Sequence, residues 1–253
     1  MKYLGGKYFI GKQISEVMKN MVSPEEVSGY LEPFCGALGV LTYMNETFDC
    51  KASDYHPDLI EMWKRVQDNS FVPPTQITEQ QYNSIKNIES PSALKAFVGF
   101  GCSFGGRYFA GYAEKYKNTK KEDYLKEATN SINRKRPKIK GVKFSCDSYK
   151  DLKPKNMLIY CDPPYQETTF PVKYRRDTKY YDEFDNKEFW NIVRKWSKNN
   201  IVFISETSAP EDFIHVWEKS SHRSVSQSAK TRYKRDSDTY KTEKLFIHKT
   251  LLQ

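Results

Sequence analysis

Long apolar runs are missing from this 253-residue chain. No stretch approaches the ~18–20 residues that a helical membrane span requires, so a membrane-embedded helical protein is excluded. The N-terminus, MKYLGGKYFIGKQI, contains no apolar segment of ~7–15 residues, and no secretory signal is expected. Cysteine is sparse and dispersed: Cys35, Cys50, Cys102, Cys146 and Cys161 form no C-x-x-C pair and are odd in number. Neither a disulfide framework nor a zinc site is expected, and the thiols read as the reduced thiols of a cytoplasmic protein. The four histidines (His56, His215, His222, His248) have no ligand spacing, so no metal is expected. No G-x-G-x-x-G and no G-x-x-x-x-G-K-[ST] occurs, which argues against a pyrophosphate or triphosphate cradle.

What the chain does have is aromatic and basic. Aromatics make up 15%, with 18 Tyr, against a hydrophobic content of 38%. A disordered chain would be poor in aromatics, and this apolar content is enough for one core. Lys and Arg number 41 against 32 Asp and Glu, giving a net charge of +9. The excess is local. Between Arg107 and Lys143 stand 12 Lys/Arg and four acids, interleaved with Tyr108, Phe109, Tyr112, Tyr116 and Tyr124. Such a block fits a surface that faces nucleic acid, and charge alone does not separate it from a solvated lysine-rich face.

Four short apolar runs read as buried parallel strands: 29–33, 50–54, 156–161 and 201–205. Helical spacing follows over 38–46, 57–68 and 186–198. In the second of these Pro57 sits at the first turn, and in the third Phe189, Trp190, Val193 and Trp196 share a face. Strand–helix alternation argues for an α/β layered fold. The alternation stops over residues 70–144, where helical patterns at 78–88, 93–100 and 122–133 suggest a small helical insertion. Residues 1–69 and 145–253 would then form the main domain. Near the end, 222–228 and 244–248 alternate like two antiparallel strands, joined by a polar, basic connector that includes Lys230 and Arg232.

Asp162-Pro163-Pro164-Tyr165 is the sharpest motif. It follows an apolar strand, so it belongs at the strand's carboxyl end, the edge where open α/β sheets bind ligands. Two prolines stiffen the turn. The Asp162 carboxylate and the Pro163 carbonyl are two acceptors able to hold both hydrogens of a planar amino group, and Tyr165 offers a ring for stacking. Hydrogen bonding of both protons shifts electron density onto an otherwise weakly nucleophilic exocyclic nitrogen. A second motif, Glu32-Pro-Phe-Cys-Gly-Ala-Leu-Gly39, places glycine at a strand-to-helix turn, where a backbone can approach a ligand closely. Asp54 ends the next strand, suitably placed for ribose hydroxyls. A third, Tyr3-Leu-Gly-Gly-Lys7, frees the backbone ahead of a lysine.

In this order the motifs resemble the Dam-type DNA adenine-N6 methyltransferases, the α-group of the D12 class. The resemblance runs from about Tyr3 to the strand Glu243-Lys-Leu-Phe-Ile247. It implies a Rossmann-like methyltransferase sheet with a helical target-recognition insertion, S-adenosylmethionine as methyl donor and double-stranded DNA as substrate. It also implies a cytoplasmic setting in a bacterial cell or phage-infected host, and a role of the restriction-modification kind. By motif match, Tyr3, Lys7, Asp54 and Asp162 fall at cofactor-contacting positions, and Phe34 and Gly36 line the cofactor loop. Asp147-Ser148-Tyr149 resembles the family's G-D-[FY] segment, with Cys146 where glycine is usual. Gly101 to Tyr108 resembles its G-Y-N-G-x-x-R-Y stretch, which makes Arg107 a candidate guanine reader; Ser103 stands where Asn is common. Leu38 occupies the usual second glycine of the cofactor loop. Tyr108, Lys115, Arg134, Lys135, Arg136, Lys230 and Arg232 are the remaining candidate DNA contacts.

Rival chemistries stay in view. Cytosine N4 and guanine in ribosomal RNA are amines that tolerate a [DSN]PPY motif, while Gly-Gly-Lys and the insertion ahead of DPPY favour adenine in DNA. A catalytically idle DNA-binding homologue is the rival from another class. Cytosine-C5 methylation is disfavoured because no Pro-Cys dipeptide occurs.

Overall fold

Seven strands form the main sheet of the computed structural model, which describes residues 1–113, 115–117, 120–164, 184–222 and 240–252. Five run parallel: β1 (Tyr30–Glu32), β2 (Cys50–Ser53), β5 (Lys143–Ser145), β6 (Leu158–Cys161) and β7 (Ile201–Glu206). The other two, β8 (Phe213–His222) and β9 (Tyr240–His248), are antiparallel and carry a bulge between His215 and Trp217. The strand order is β5-β2-β1-β6-β7-β9-β8. Counting parallel strands alone, the order is third, second, first, fourth, fifth, the doubly wound Rossmann arrangement. The direction of winding reverses between β1 and β6. Their carboxyl ends therefore open the crevice in which such sheets hold ligands.

The sheet is covered on both faces, as parallel strands require. The two-residue period divides each strand between two cores. In β6, Leu158 and Tyr160 face one cluster while Ile159 and Cys161 face the other. In β7, Phe203 points one way, Val202 and Ile204 the other. The first cluster collects α1 (Gly11–Met21), α2 (Pro57–Gln67), α4 (Ala93–Gly101) and α5 (Tyr124–Lys135). The second is covered by α6 (Asn186–Trp196) through Phe189, Trp190, Val193 and Trp196. Local signals set the helix starts. Pro57 opens α2, and the Ser92, Asp123 and Asp185 side chains accept from backbone N–H groups to cap α4, α5 and α6. The short α3 (Glu79–Lys86) begins with a Thr78–Gln81 capping box.

The 70–144 segment lies between α2 and β5 in the chain, and it does not stand apart from the sheet. Phe97 and Phe100 of α4 and Ala128 and Ile132 of α5 belong to the same core cluster as Tyr30 and Leu158. Asp58, buried on α2, pins it polarly: it accepts from the Ser92 N–H at 2.8 Å and the Tyr108 hydroxyl at 2.5 Å, and pairs with Lys95 at 3.4 Å. Beyond α4 the segment throws out an antiparallel ribbon, β3 (Lys115–Lys117) and β4 (Lys120–Glu122).

Two sequence expectations are corrected here. No α-helix forms over 38–46; a single 3-10 turn, Leu41–Tyr43, stands there. Leu38 has φ +57°, a left-handed conformation that cannot start an α-helix. The first strand of the terminal pair begins at Phe213, nine residues before the expected 222, and is described to His222; 223–228 lies outside the described residues. The N-terminal turn continues into α1, whose Ile14 and Met18 fill the core.

Candidate active site

Two strand ends and the N-terminal strip build the site. Asp162 follows β6 directly, and Glu32 is the last residue of β1. Lys7 reaches across from the strip: its Nζ donates to Asp162 Oδ1 at 2.6 Å and to the Gly5 carbonyl at 3.2 Å, and lies 3.3 Å from Glu243 Oε1 on β9. Burial alone would lower the pKa of this ammonium. The Asp162 and Glu243 carboxylates outweigh burial and raise its pKa above the usual lysine value. Glu243 is pushed upward by burial, against the pull of Lys7. Glu32 is buried, accepts from the Tyr30 hydroxyl at 2.7 Å and is raised by burial from 4.5 to about 8.

The loop after β1 is locked to the same strip. Gly36 has φ +44°, and a Cβ there would meet the Tyr3 ring at 3.0 Å. Gly39 leaves no room either: its Cβ would meet the Lys7 backbone nitrogen at 3.1 Å, while a Cβ on Gly11 would sit 2.1 Å from the Gly39 carbonyl oxygen. Leu38 keeps the left-handed conformation of a glycine while burying its side chain completely. The loop thus has the glycine-like backbone shape without the glycine. Asp54, just past β2, accepts from the Gly36 N–H at 2.9 Å and the His56 N–H at 3.0 Å. Burial raises its carboxyl pKa, and these two hydrogen bonds oppose the rise.

Phe34 packs against Tyr149 at 5.0 Å and against Phe184 and Phe189 at 6.0 and 5.9 Å. The Tyr149 hydroxyl is buried and finds no hydrogen-bond partner among the described residues; burial pushes it up to about 12. An orphaned buried hydroxyl beside stacked rings suits a heteroaromatic ring of a bound group. Asp147 is exposed, and its backbone exchanges hydrogen bonds with the Ser53 hydroxyl at 3.0 and 3.3 Å. A glycine-shaped loop, a carboxylate at the end of β2 and an aromatic box with an unmet polar atom together fit a nucleoside-type cofactor such as S-adenosylmethionine.

The structure therefore brings together Tyr3, Lys7, Gly36, Asp54 and Asp162 around the ends of β1, β2 and β6, with Phe34 and Asp147 beside them. Pro163 is buried and Pro164 exposed. Tyr165, Lys230 and Arg232 lie outside the described residues. Of the basic run at the end of α5, Arg134 projects to solvent, with its guanidinium 5.8 Å from the Tyr8 ring centre. Lys135 turns inward to donate to the Ala37 carbonyl of the loop after β1, and burial lowers its pKa to about 8. Arg136 donates to Asn69 Oδ1 at 3.2 Å and the Phe71 carbonyl at 2.9 Å. Adjacent helical residues point ~100° apart, which is why neighbours in sequence part company here. Tyr108 packs its ring on His56 at 4.4 Å and Phe100 at 4.9 Å. Ser103, ahead of Arg107, is buried between the Tyr82 hydroxyl and the Gly99 carbonyl. Arg107 is half-buried on the turn that follows, and Lys115 opens β3.

Sequence reasoning missed Glu243. The signal was present: in β9 the two-residue period puts Glu243 on the face of Leu245 and Ile247, both core residues. An acid on an apolar strand face needs a buried cation.

Fold and site define a doubly wound enzyme whose nucleoside-shaped loop stands beside an acidic D-P-P turn. The chain matches the D12 class N6 adenine-specific DNA methyltransferases over residues 3–97 and 102–237, and it belongs to that family. It is thus an adenine-specific DNA methyltransferase that uses S-adenosylmethionine. It is 24% identical over 257 residues to the Type II methyltransferase M.MjaIII of Methanocaldococcus jannaschii, covering 85% of each chain. The solved structure of SMU.472, a proposed methyltransferase complexed with SAH, aligns over 96% of this chain and 54% of its own at 8% identity, with a TM-score of 0.40. The chain spans about half the length of that structure. No helix among the described residues is long and apolar enough to cross a membrane, and no cluster there could hold a metal ion.

Proposed function

We propose that this chain methylates N6 of an adenine extruded from double-stranded DNA, with Asp162 and the Pro163 carbonyl as acceptors for the amino group and Tyr165 as the stacking ring. The observation that carries the reading is the carboxylate of Asp162, fixed by the Lys7 ammonium at the winding reversal of the sheet. When bound, S-adenosylmethionine supplies a methyl group already activated by its sulfonium. The protein's task is then positioning. Lys7 holds Oδ1 of Asp162 and so orients the carboxylate toward the substrate amine. Holding the amino hydrogens localises the nitrogen lone pair, so the amine attacks neutral and loses its proton afterwards. Tyr3, Lys7, Phe34, Gly36, Asp54 and Asp147 hold the donor. An adenine inside the duplex is out of reach, and base extrusion brings it to the turn.

We further infer that residues 70–144 recognise the target. The β3–β4 ribbon has the shape of an element that enters a major groove. Arg107 reads a guanine, at ~1–3 kcal/mol of discrimination. Lys115, Arg134, Lys230 and Arg232 neutralise phosphates. The activity belongs in the cytoplasm of a bacterial cell or phage-infected host, within restriction-modification or self-modification of DNA.

The test is transfer of labelled methyl to DNA followed by nucleoside analysis. Labelled N6-methyladenine with the unaltered chain, and none with Asp162→Ala, supports the assignment. Full activity of Asp162→Ala refutes the catalytic turn, and N4-methylcytosine as product refutes the substrate.

A further inference from the structure

Apolar side chains are exposed unevenly on this protein. Eight large ones are exposed among the described residues, and four of them, Leu4, Tyr8, Phe9 and Phe104, sit on the N-terminal strip or on the turn hydrogen-bonded to it. That bond runs from the Leu4 N–H to the Gly106 carbonyl at 3.3 Å. Scattered exposed hydrophobics need no explanation, but a cluster does. Phe9 is the extreme case at 88% exposed, and Tyr8 meets it edge to face at 5.1 Å.

The position of this pair sets its meaning. Tyr8 and Phe9 directly follow Lys7, whose ammonium is on Asp162, so the two rings belong to the strip that reaches the catalytic turn. Arg134 of α5 lies over the Tyr8 ring, and Arg107 rides the same glycine turn as Phe104. Flat apolar rings within a rim of fixed cations complement a polyanion whose interior is a stack of flat rings. Extruding a base leaves a gap in that stack. Unstacking costs free energy, and an apolar wedge that refills the gap offsets the cost.

We propose that Phe9, backed by Tyr8, enters the DNA stack at the place vacated by the target adenine. The proposal deepens the methyltransferase reading and rests on it. Phe9 acts on the duplex around the target, and on neither the methyl donor nor the amine.

The experiment compares Phe9→Ala and Phe9→Leu with the unaltered chain on two DNA substrates carrying the methylated sequence. In one the target adenine is fully paired; in the other it faces an abasic site, so that extrusion is largely prepaid. Phe9→Ala is expected to lower kcat/KM on paired DNA by about tenfold or more and to come within about threefold of the unaltered chain on the abasic substrate. Phe9→Leu, which retains an apolar wedge, is expected to keep most of the activity on both. Unchanged melting temperatures establish that the variants fold, as so exposed a side chain requires. An equal loss on both substrates, or no loss on paired DNA, overturns the proposal. Absence of adenine methylation by the unaltered chain on either substrate is a different failure, that of the functional reading beneath it.

Discussion

Lys7 and Asp162, 155 residues apart in the chain, meet at 2.6 Å, with Glu243 completing the group at 3.3 Å from the same ammonium. One cation thus answers two carboxylates drawn from different strands. Removing it takes from both acids the ammonium they share. Lys7→Met is expected to cost ~3–5 kcal/mol of stability, as the loss of one partner from a buried ion pair does. Adding Glu243→Gln to that variant should restore part of the loss. Urea unfolding of the two single variants and the double variant measures the coupling.

Glu243→Gln alone gives a different outcome. The ammonium is then no longer shared and binds Asp162 more tightly, which makes that carboxylate a poorer acceptor for a substrate amine. The fold should persist, and kcat should fall by about tenfold with little change in cofactor affinity. Single-turnover methylation and calorimetry separate the two effects.

Glu32 carries a pH signature. Burial holds its carboxyl at about 8, against 4.5 in the unfolded chain. Between those values the folded chain retains a proton that the unfolded chain has lost, so this residue lowers stability as pH rises, with the full penalty above about pH 8. Glu32→Gln is neutral throughout. Its unfolding free energy should match that of the unaltered chain below about pH 4.5 and exceed it by a few kcal/mol at pH 8. Denaturant titrations across this range check the sign.

The loop after β1, proposed to hold the cofactor, separates conformation from side chain. Gly36→Ala places a methyl 3.0 Å from the Tyr3 ring at a strained φ, and cofactor affinity should fall by about tenfold or more. Leu38→Gly relieves ~1–2 kcal/mol of left-handed strain but deletes a fully buried side chain worth ~2–5 kcal/mol. It should be less stable overall while binding the cofactor within about threefold of the unaltered chain. Calorimetry with S-adenosylmethionine, alongside thermal melts, measures both.

Arg134 and Lys135 are adjacent in sequence and should differ in DNA binding. Arg134→Ala should reduce the slope of log affinity against log salt by about one, the mark of a lost phosphate contact. Lys135→Ala, whose ammonium holds the Ala37 carbonyl, should leave the slope unchanged and weaken cofactor binding instead.

Much of the site was readable in one dimension because strand ends announce themselves. Apolar runs over 29–33, 50–54 and 156–161, with Glu32, Asp54 and Asp162 at or just past their ends, marked three strands whose carboxyl termini had to converge on one edge of a parallel sheet. The D-P-P-Y, E-P-F-x-G and Y-x-G-G-K motifs then named the chemistry. Leu38 shows the opposite case. Its spacing suggested a helix, and only the backbone dihedral revealed a residue held like glycine by packing around its side chain.

Composition, periodicity and short motifs determined the layered fold, the acidic turn and the basic middle segment, because each depends on residues near one another in the chain. Which cation meets Asp162, that Glu243 shares it, and that Lys135 turns inward while Arg134 turns out were decided by tertiary structure alone. Those relations depend on strand order and helix phase, which bring distant residues within a few ångströms, where burial gives charge its strength.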